Sequence, residues 1–322
     1  YEVIQVLERA ESGFRGKMDD PDGRAWDLDD RIISRDSSHT RAFLKIQDGC
    51  SNTCSFCKVR FLRGPARSKS RSRVREEVKG LGENGFQEVV LTGINLAEFG
   101  KDEDSIAELI NELSRLDEIS RIRLSSINPD GITRKLLEVF DDSEKICPYF
   151  HIPLQSGSDG ILSSMERGYS RSDYLEKINL IKKHVPNVTF GTDLMVGFPG
   201  EKEDDFIRTK EMVKEVGFIN VHVFRYTPRS VTSASEFENK VHSSIKKKRA
   251  KELRRLSSNI SLTLRNEFTG NNLDMIVEEP SGKLDGWRGY SRNYLDIHIP
   301  ASDLTGEIAP GNLVRVKLAE VK

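Results

Sequence analysis

The sequence predicts an α/β fold, an open partial (β/α)6 barrel, with a small all-β barrel after it. Between about residues 41 and 264, short apolar runs alternate with helical periodicity, the pattern of parallel strands joined by helices. Glycine, serine and carboxamide residues follow several strands, at the ends where barrel enzymes bind ligands. From about residue 265, short alternating runs lie between turns, as in small β-barrels. We therefore expect a linker or N-terminal extension (1–40), an α/β core (41–264) and a β-barrel (265–322).

The barrel prediction rests on six strands. The expected strands are Arg41–Gln47, Glu88–Leu91, Arg121–Ser125, Tyr149–Leu154, Val188–Val196 and Asn220–Tyr226. The expected helices are Arg73–Asn84, Ser105–Arg115, Thr133–Phe140, Asp159–Met165, Arg171–His184, Glu203–Val216 and Ser243 to about Phe268. Six units are fewer than a closed eightfold barrel needs, so the barrel should be open. Beyond it, strand-like runs at Leu273–Val277, Tyr294–Ile299 and Val314–Leu318 predict the β-barrel.

Composition describes an ordinary soluble protein. The chain has 322 residues, 36% hydrophobic and 31% charged, with no apolar run long enough for a membrane span and no signal peptide. Four cysteines in this length do not make a disulfide scaffold, so we expect a cytoplasmic protein. The net charge of −1 means that any nucleic-acid binding must come from local patches. Because the sequence begins with Tyr1, we expect it to be part of a longer protein.

Three of the four cysteines lie within eight residues, in Cys50-Ser-Asn-Thr-Cys54-Ser-Phe-Cys57. Three thiolates at this spacing can hold three irons of a [4Fe–4S] cluster and leave the fourth iron open. A structural zinc site requires four ligands, and the only other cysteine, Cys147, lies far along the chain. The C-x3-C-x2-C spacing resembles that of radical S-adenosylmethionine (SAM) enzymes.

Polar and glycine residues after the strands are candidate SAM contacts. Glycines allow close approach of the backbone, and the polar side chains offer donors and acceptors to a ribose, an amino acid or an adenine. Each also has a plain structural interpretation, as a turn glycine, a helix cap or a satisfied core carboxylate. The candidates are Thr92, Gly93, Asn95, Ser126, Gln155, Ser156, Gly157, Asp193, Gly197, Phe198 and Pro199.

Basic residues in two places are candidate RNA contacts. One run follows the cysteines and the other lies in the predicted β-barrel. Phosphate contacts dominate nucleic-acid affinity, although such runs are usually solvated surface. The candidates are Arg63, Arg67, Lys69, Arg315 and Lys317.

With these residues in hand, the chain resembles the radical SAM methylthiotransferases that modify tRNA, from about Arg41 to its end. The last segment resembles their RNA-binding TRAM domain. Cys147-Pro148 and Arg67-Ser-Lys69 are closest to the branch acting on N6-threonylcarbamoyladenosine. The other motifs that carry the resemblance are the cysteine loop, Leu91–Asn95, Pro153–Asp159 and Asp193–Glu201.

The resemblance implies a mechanism and partners. Cys50, Cys54 and Cys57 would hold a [4Fe–4S] cluster that cleaves SAM to a 5′-deoxyadenosyl radical, and a methylthio group would be installed at C2 of the modified adenosine. The implied partners are the anticodon stem-loop of tRNA, an electron donor such as flavodoxin or ferredoxin, and a sulfur donor. The alternatives are isopentenyladenosine in tRNA, a ribosomal protein aspartate, or a non-catalytic RNA-binding protein with a structural metal.

The sequence departs from the family in three places. Family members carry an N-terminal domain with three more cysteines for a second, auxiliary [4Fe–4S] cluster, whereas no cysteine precedes Cys50 here. The auxiliary cluster is therefore expected only in a longer protein. Arg60 replaces the usual proline after the cysteines, and Val231 replaces a glycine, which affects local substrate contacts.

Overall fold

The computed structural model describes residues 40–100, 105–281, 285–303 and 307–320. The predicted extension before residue 40 lies outside these ranges. The strands are β1 (Ala42–Lys45), β2 (Gln47–Asp48), β3 (Arg67–Ser68), β4 (Glu88–Thr92), β5 (Arg121–Leu124), β6 (Tyr149–His151), β7 (Thr189–Val196), β8 (Asn220–Arg225), β9 (Asn272–Pro280), β10 (Gly286–Ser291), β11 (Asp296–Pro300) and β12 (Leu313–Lys317). The α-helices are α1 (Val59–Arg63), α2 (Arg71–Glu83), α3 (Ile106–Ser114), α4 (Arg134–Asp142), α5 (Asp159–Ser164), α6 (Arg171–His184), α7 (Glu203–Val216) and α8 (Ser243–Asn266).

The predicted partial barrel is confirmed. Parallel pairing gives the orders β1-β4-β5 and β6-β7-β8, and parallel bridges at Ile122–Ile146 and Ser126–His151 join the two groups. The six strands therefore follow one another around the barrel in chain order. Strands β1 and β8 are its edges, so the barrel is open.

The predicted helices form with small shifts at their ends. Ser105 and Thr133 accept backbone hydrogen bonds at the starts of α3 and α4, and Ser170 and Asp173 form a capping box at α6. The short helix α1 was not predicted, because five residues are too few to show helical periodicity. Within the described residues, every helix is too short or too polar to cross a lipid bilayer.

Strand alternation divides the barrel into an apolar outer face and a polar inner face. On β4, Val89 and Leu91 point outward into a core shared with the helices. Glu88, on the opposite face of the same strand, contacts Arg123 of β5 inside the barrel. The lumen is therefore lined by polar groups at several levels.

The C-terminal segment is all-β, as predicted, with the antiparallel order β11-β10-β9-β12. Strand β10 was not predicted, because its Gly-Trp-Arg-Gly start lacks alternation and reads as a turn. Gly289 lies at an irregularity in its pairing with β9, where a Cβ would stand 1.9 Å from the carbonyl oxygen of Ile276. Strand β11 begins two residues later than predicted, because Tyr294 has a φ of 64° and forms a turn.

This sheet packs on the amino-terminal ends of the barrel strands. Arg123 donates hydrogen bonds to the carbonyl oxygens of Arg292 (2.9 Å) and Ser291 (3.1 Å). The ring of Tyr149 stacks on that of Tyr294, with centroids 4.5 Å apart. The β-domain therefore closes one end of the barrel, while the cysteine loop lies at the other.

Candidate functional site

The cysteine loop begins at a glycine in the left-handed region of backbone conformation. Gly49 has a φ of 72°, and a Cβ there would stand 2.0 Å from the carbonyl oxygen of Pro65. Only glycine fits this position without moving the chain. The N–H of Cys50 then bonds the carbonyl oxygen of Gly64 at 3.1 Å, and the N–H of Cys57 bonds that of Cys54 at 3.0 Å. The loop is thus folded tightly between β2 and α1.

Gln47 ties this loop to the end of β4. Its buried amide donates to the carbonyl oxygen of Gly49 at 2.8 Å and accepts from the N–H of Asn95 at 3.0 Å. A Cβ on Gly93 would stand 2.8 Å from the side-chain oxygen of Gln47. Gly93, predicted to admit a ligand, therefore makes room for Gln47, which sequence reasoning missed.

The three thiols are free and half-buried. Burial raises the pKa of Cys50 to about 11, with Glu98 and the neighbouring thiols adding to the shift, and burial also raises the pKa of Cys57. Cys50 and Cys57 are therefore protonated without a metal, and iron must displace their protons. Three thiols with no fourth cysteine beside them fit a [4Fe–4S] cluster with one open iron.

The fourth cysteine cannot join this group. Cys147 is buried at the closed end of the barrel, 4.0 Å from a carboxylate oxygen of Glu88. The cysteine loop lies at the opposite, open end.

A chain of hydrogen bonds runs around the loop. The side-chain oxygen of Asn95 accepts from the N–H of Asn128 at 3.3 Å, and the side-chain oxygen of Asn128 accepts from Arg167 at 2.9 Å. Arg167 also donates to the sulfur of Cys54 at 3.3 Å. Sequence reasoning missed Arg167 and Asn128, which no local pattern distinguishes from surface residues.

Asn95 remains a candidate ligand contact. Its Nδ2 is buried and has no hydrogen-bond partner among the described residues. A buried donor without a partner is rare, and a bound ligand would satisfy it. Thr92 and Ser126 are half-buried at the ends of β4 and β5, the same end of the barrel.

The segment after β6 contains a non-glycine residue with positive φ and a closely packed glycine. Gln155 has a φ of 66°, and its backbone pairs with Asp193 and Met195 of β7. A Cβ on Gly157 would stand 2.6 Å from the carbonyl oxygen of Arg208, so this glycine lets α7 approach. The hydroxyl of Ser156 accepts from the N–H of Ser158 within the same turn.

The Gly197-Phe198-Pro199 loop is built around Glu201. The carboxylate of Glu201 accepts hydrogen bonds from the N–H groups of Gly197 and Phe198, and it pairs with Arg249 of α8 at 3.0 Å. The Phe198 side chain is fully buried against Tyr226. The first two N–H groups of this loop are therefore already bonded, and the carbonyl oxygen of Phe198 accepts from the N–H of Glu201 at 3.0 Å. Glu201 and Arg249 were also missed.

Asp193 lies between two histidines on the inner face of the barrel. One of its oxygens, Oδ1, is 3.3 Å from Nε2 of His151 and 3.2 Å from Nδ1 of His222. Burial alone would raise the pKa of Asp193, but the two histidines hold it below its ordinary value. Across the described ranges, His151, Asp193 and His222 form the group of three His, Cys, Asp or Glu residues whose possible ligand atoms all lie within 4.8 Å of one another. A group of this kind could hold a metal ion.

The predicted RNA contacts separate into two groups. Arg63 and Arg67 lie beside the cysteine loop and share Asp48, at 3.6 and 3.5 Å. Lys69 is largely buried in an ion pair with Glu77 at 2.7 Å, so it presents little charge to solvent. The other two residues, Arg315 and Lys317, are exposed on β12, in the domain at the closed end. Arg315 pairs with Asp274 at 2.8 Å.

The open barrel and its three-cysteine loop match known proteins. The protein-family model described as "Radical SAM superfamily" matches residues 44–213. This chain belongs to the radical SAM superfamily. A [4Fe–4S] cluster and SAM are the cofactors of this family, as the resemblance of the cysteine loop implied.

Relatives extend the match along the chain. It is 36% identical to the threonylcarbamoyladenosine tRNA methylthiotransferase MtaB of Chlamydia pneumoniae, over 88% of this chain and 66% of that protein. It is 33% identical to the tRNA-2-methylthio-N(6)-dimethylallyladenosine synthase of Pelotomaculum thermopropionicum, over 100% of this chain and 73% of that protein. The expected membership of the tRNA methylthiotransferase family is confirmed. The chain spans about two thirds of the length of these relatives.

Solved structures support the fold alone. Coproporphyrinogen III oxidase (HemN) from Escherichia coli superposes with a TM-score of 0.53 at 13% identity, over 68% of this chain and 52% of that one. The radical SAM methyltransferase TsrM from Kitasatospora setae gives a TM-score of 0.52 at 14% identity, over 60% and 38%.

Proposed function

We propose that this chain carries the radical SAM core of a methylthiotransferase that acts at C2 of N6-threonylcarbamoyladenosine, beside the tRNA anticodon. The observation that carries the proposal is the cysteine loop at the carboxyl ends of an open parallel barrel. Relatives named as threonylcarbamoyladenosine tRNA methylthiotransferases, at 36% and 38% identity, support the choice of adenosine.

The residues at this end of the barrel suit SAM cleavage. Cys50, Cys54 and Cys57 would hold a [4Fe–4S] cluster, which would supply the electron for that cleavage. The unpartnered Nδ2 of Asn95 and the carboxylate of Asp193 are suited to polar groups of SAM. The other SAM contacts predicted from the strand ends belong to the same proposal.

The sulfur source is a separate part of the proposal. Cys147 is buried at the closed end, and no cysteine precedes Cys50 in the sequence. The activity that these residues support by themselves is therefore SAM cleavage. The complete transfer would need an auxiliary cluster, a sulfur donor and an electron donor such as flavodoxin or ferredoxin.

We also propose that the C-terminal sheet is a TRAM-like RNA-binding domain. Arg315 and Lys317 project from the same face of β12, two residues apart. This domain and the cysteine loop lie at opposite ends of the barrel. An anticodon stem-loop that contacts both would have to run along the side of the barrel.

A second substrate is favoured by different relatives. Two proteins named as tRNA-2-methylthio-N(6)-dimethylallyladenosine synthases align with the whole chain, at 33% and 37% identity. Isopentenyladenosine in tRNA is therefore the second candidate.

Nucleoside analysis separates the two adenosines. In tRNA from a strain lacking the gene, the 2-methylthio derivative of threonylcarbamoyladenosine should disappear. If it persists and the derivative of isopentenyladenosine disappears, the second candidate is correct. If both persist, the tRNA assignment fails and the ribosomal protein aspartate becomes the substrate to measure.

SAM cleavage is tested on the purified chain. After anaerobic reconstitution with iron and sulfide, dithionite should produce 5′-deoxyadenosine from SAM. C54A should abolish this product, whereas C147S, which alters a buried cysteine far from the loop, should retain it. Undiminished 5′-deoxyadenosine from C54A would overturn the cluster assignment and favour a structural metal.

A further inference from the structure

Three hydrogen bonds hold the guanidinium of Arg167, and one of them goes to a cysteine of the loop. Its Nη1 donates to the sulfur of Cys54 at 3.3 Å, its Nε to the hydroxyl of Tyr169 at 3.0 Å, and its Nη2 to the side-chain oxygen of Asn128 at 2.9 Å. The guanidinium also lies over the Tyr169 ring, 5.0 Å from its centroid. A planar group held at three nitrogens has little freedom to turn away from the sulfur.

The residues that hold Arg167 are themselves anchored. The hydroxyl of Tyr169 donates to the carbonyl oxygens of Pro153 (2.8 Å) and Leu154 (3.2 Å), at the end of β6. The N–H of Asn128 donates to the side-chain oxygen of Asn95, and the N–H of Asn95 donates to Gln47. Gln47 in turn donates to the carbonyl oxygen of Gly49, where the cysteine loop begins. Arg167 therefore belongs to a rigid frame rather than to the solvated surface.

Arg167 remains a cation in this position. An arginine guanidinium is not deprotonated in proteins, so it keeps its charge here. Tyr169 stays neutral, because burial raises its pKa to about 12. The sulfur of Cys54 thus faces a permanent positive charge and a directed N–H donor.

The other two cysteines have different surroundings. The sulfur of Cys57 accepts from the backbone N–H of Val59 at 3.4 Å, which is a neutral donor. Glu98, a negative group, bonds the N–H of Ser51 at 2.9 Å, next to Cys50. Among the three loop cysteines of the described structure, Cys54 is therefore the one that receives a hydrogen bond from a cation, and the charge of Arg167 also lies near enough to act on Cys57.

We propose that Arg167 sets the reduction potential of the cluster through the sulfur of Cys54. Hydrogen bonds to cysteine sulfurs and nearby net charge are established determinants of iron–sulfur potentials. A reduced cluster carries one more negative charge than an oxidised one, so a cation and an N–H donor at its ligand favour the reduced state. Arg167 is a positioning and tuning residue, and the inference rests on the cysteines holding the cluster of the proposed function.

The test is the midpoint potential of the reconstituted cluster, without SAM or tRNA. Wild-type protein, R167Q and R167K are titrated anaerobically and followed by electron paramagnetic resonance of the reduced cluster. R167Q removes the charge and should shift the midpoint to a more negative value. R167K keeps the charge but cannot make the three contacts, so its shift should be smaller and in the same direction.

The matched control is Arg171, four residues along the chain. It is also paired, with Glu211 at 3.2 Å and Glu215 at 2.9 Å, but it makes no contact with a cysteine. R171Q should leave the midpoint unchanged. A general effect of lost charge would instead shift R171Q and R167Q alike, and that result would overturn the inference.

The midpoint potential is measured without tRNA, so it tests the role of Arg167 separately from the choice of substrate. An unchanged midpoint in R167Q at wild-type iron content overturns the role of Arg167 and leaves the proposed methylthiotransferase activity standing. If R167Q does not bind iron, the midpoint potential of R167K tests the role of Arg167 by the same criterion. A shifted midpoint in a protein that modifies no adenosine supports the role of Arg167 and counts against the proposed function.

Discussion

The carboxylate of Glu88 and the guanidinium of Arg123 form a two-point ion pair inside the closed end of the barrel. The two contacts measure 2.6 and 3.2 Å, and both side chains are almost inaccessible to solvent. Arg123 also donates hydrogen bonds to backbone carbonyl oxygens of the β-domain. One buried cation thus joins the barrel to the sheet that covers it.

Replacing Glu88 with glutamine should destabilise the protein strongly. The change leaves the buried Arg123 and Arg121 without their counter-charge, and breaking a buried pair in this way costs about 3–5 kcal/mol. Chemical denaturation followed by circular dichroism measures the loss. E108Q is the control, because Glu108 pairs with Arg71 and Lys135 nearer the surface, and the stability should change little.

The destabilisation by E88Q should also depend on pH. Burial alone would raise the pKa of Glu88, but Arg123, Arg41 and Arg121 hold it below its ordinary value. Its contribution is therefore present above the pKa of the unfolded chain and is lost as the pH falls through the folded-state pKa. The stability difference between wild type and E88Q should shrink in acid. A difference that grows in acid would contradict the ion-pair interpretation.

Replacing Gln47 with leucine should loosen the cysteine loop. The variant leaves the buried carbonyl oxygen of Gly49 and the N–H of Asn95 without their partner, which costs about 1–3 kcal/mol for each buried group. Reconstituted Q47L should lose iron to a chelator faster than wild type, measured by the decay of the cluster absorbance.

Gln87 provides the control for Q47L. Its amide oxygen accepts a hydrogen bond from Ser120 at 2.7 Å, just before β4 and away from the cysteine loop. Q87L should lose iron at the wild-type rate. Equal rates for Q47L and wild type would show that the loop holds its shape without Gln47.

The contrast between Cys54 and Arg167 shows what the sequence could and could not predict. The cysteine spacing is local, and strand alternation and helix periodicity are local too, so the cluster loop and the barrel were both predictable. Arg167 reaches Cys54 across 113 positions, and Gln47 reaches Asn95 across 48. Such contacts depend on how the strands close into a barrel, which no local pattern specifies. For the same reason, the close packing of Gly93 on Gln47 and of Gly157 on Arg208 could not be predicted.

Replacing Glu201 with alanine should weaken SAM binding. The carboxylate holds the turn at Gly197 and Phe198 and pairs with Arg249, so its loss frees a loop that carries candidate SAM contacts. We expect the KM for SAM in the 5′-deoxyadenosine assay to rise about tenfold, equivalent to about 1.4 kcal/mol. The conservative variant E201Q can still accept one hydrogen bond and should lie between wild type and E201A. A loss of kcat at constant KM would place the effect in another step.

The thiol of Cys50 should react slowly in the metal-free protein. Burial raises its pKa to about 11, so only a small fraction is thiolate near neutral pH. Labelling by iodoacetamide, followed at each cysteine by mass spectrometry, should rise about tenfold per pH unit from pH 7 to 10. A free thiol with an ordinary pKa near 8.5 would level off within that range.

Two internal comparisons make the Cys50 measurement decisive. Cys147 is buried in the closed end, so it should be labelled only after unfolding, and any earlier labelling marks loss of the native fold. Iron reconstitution should protect Cys50, because a coordinated thiolate is no longer available to the reagent. If labelling of Cys50 levels off near pH 8 to 9 while Cys147 stays protected, the loop is more open than the structure shows. The desolvation argued for the cluster ligands would then be wrong.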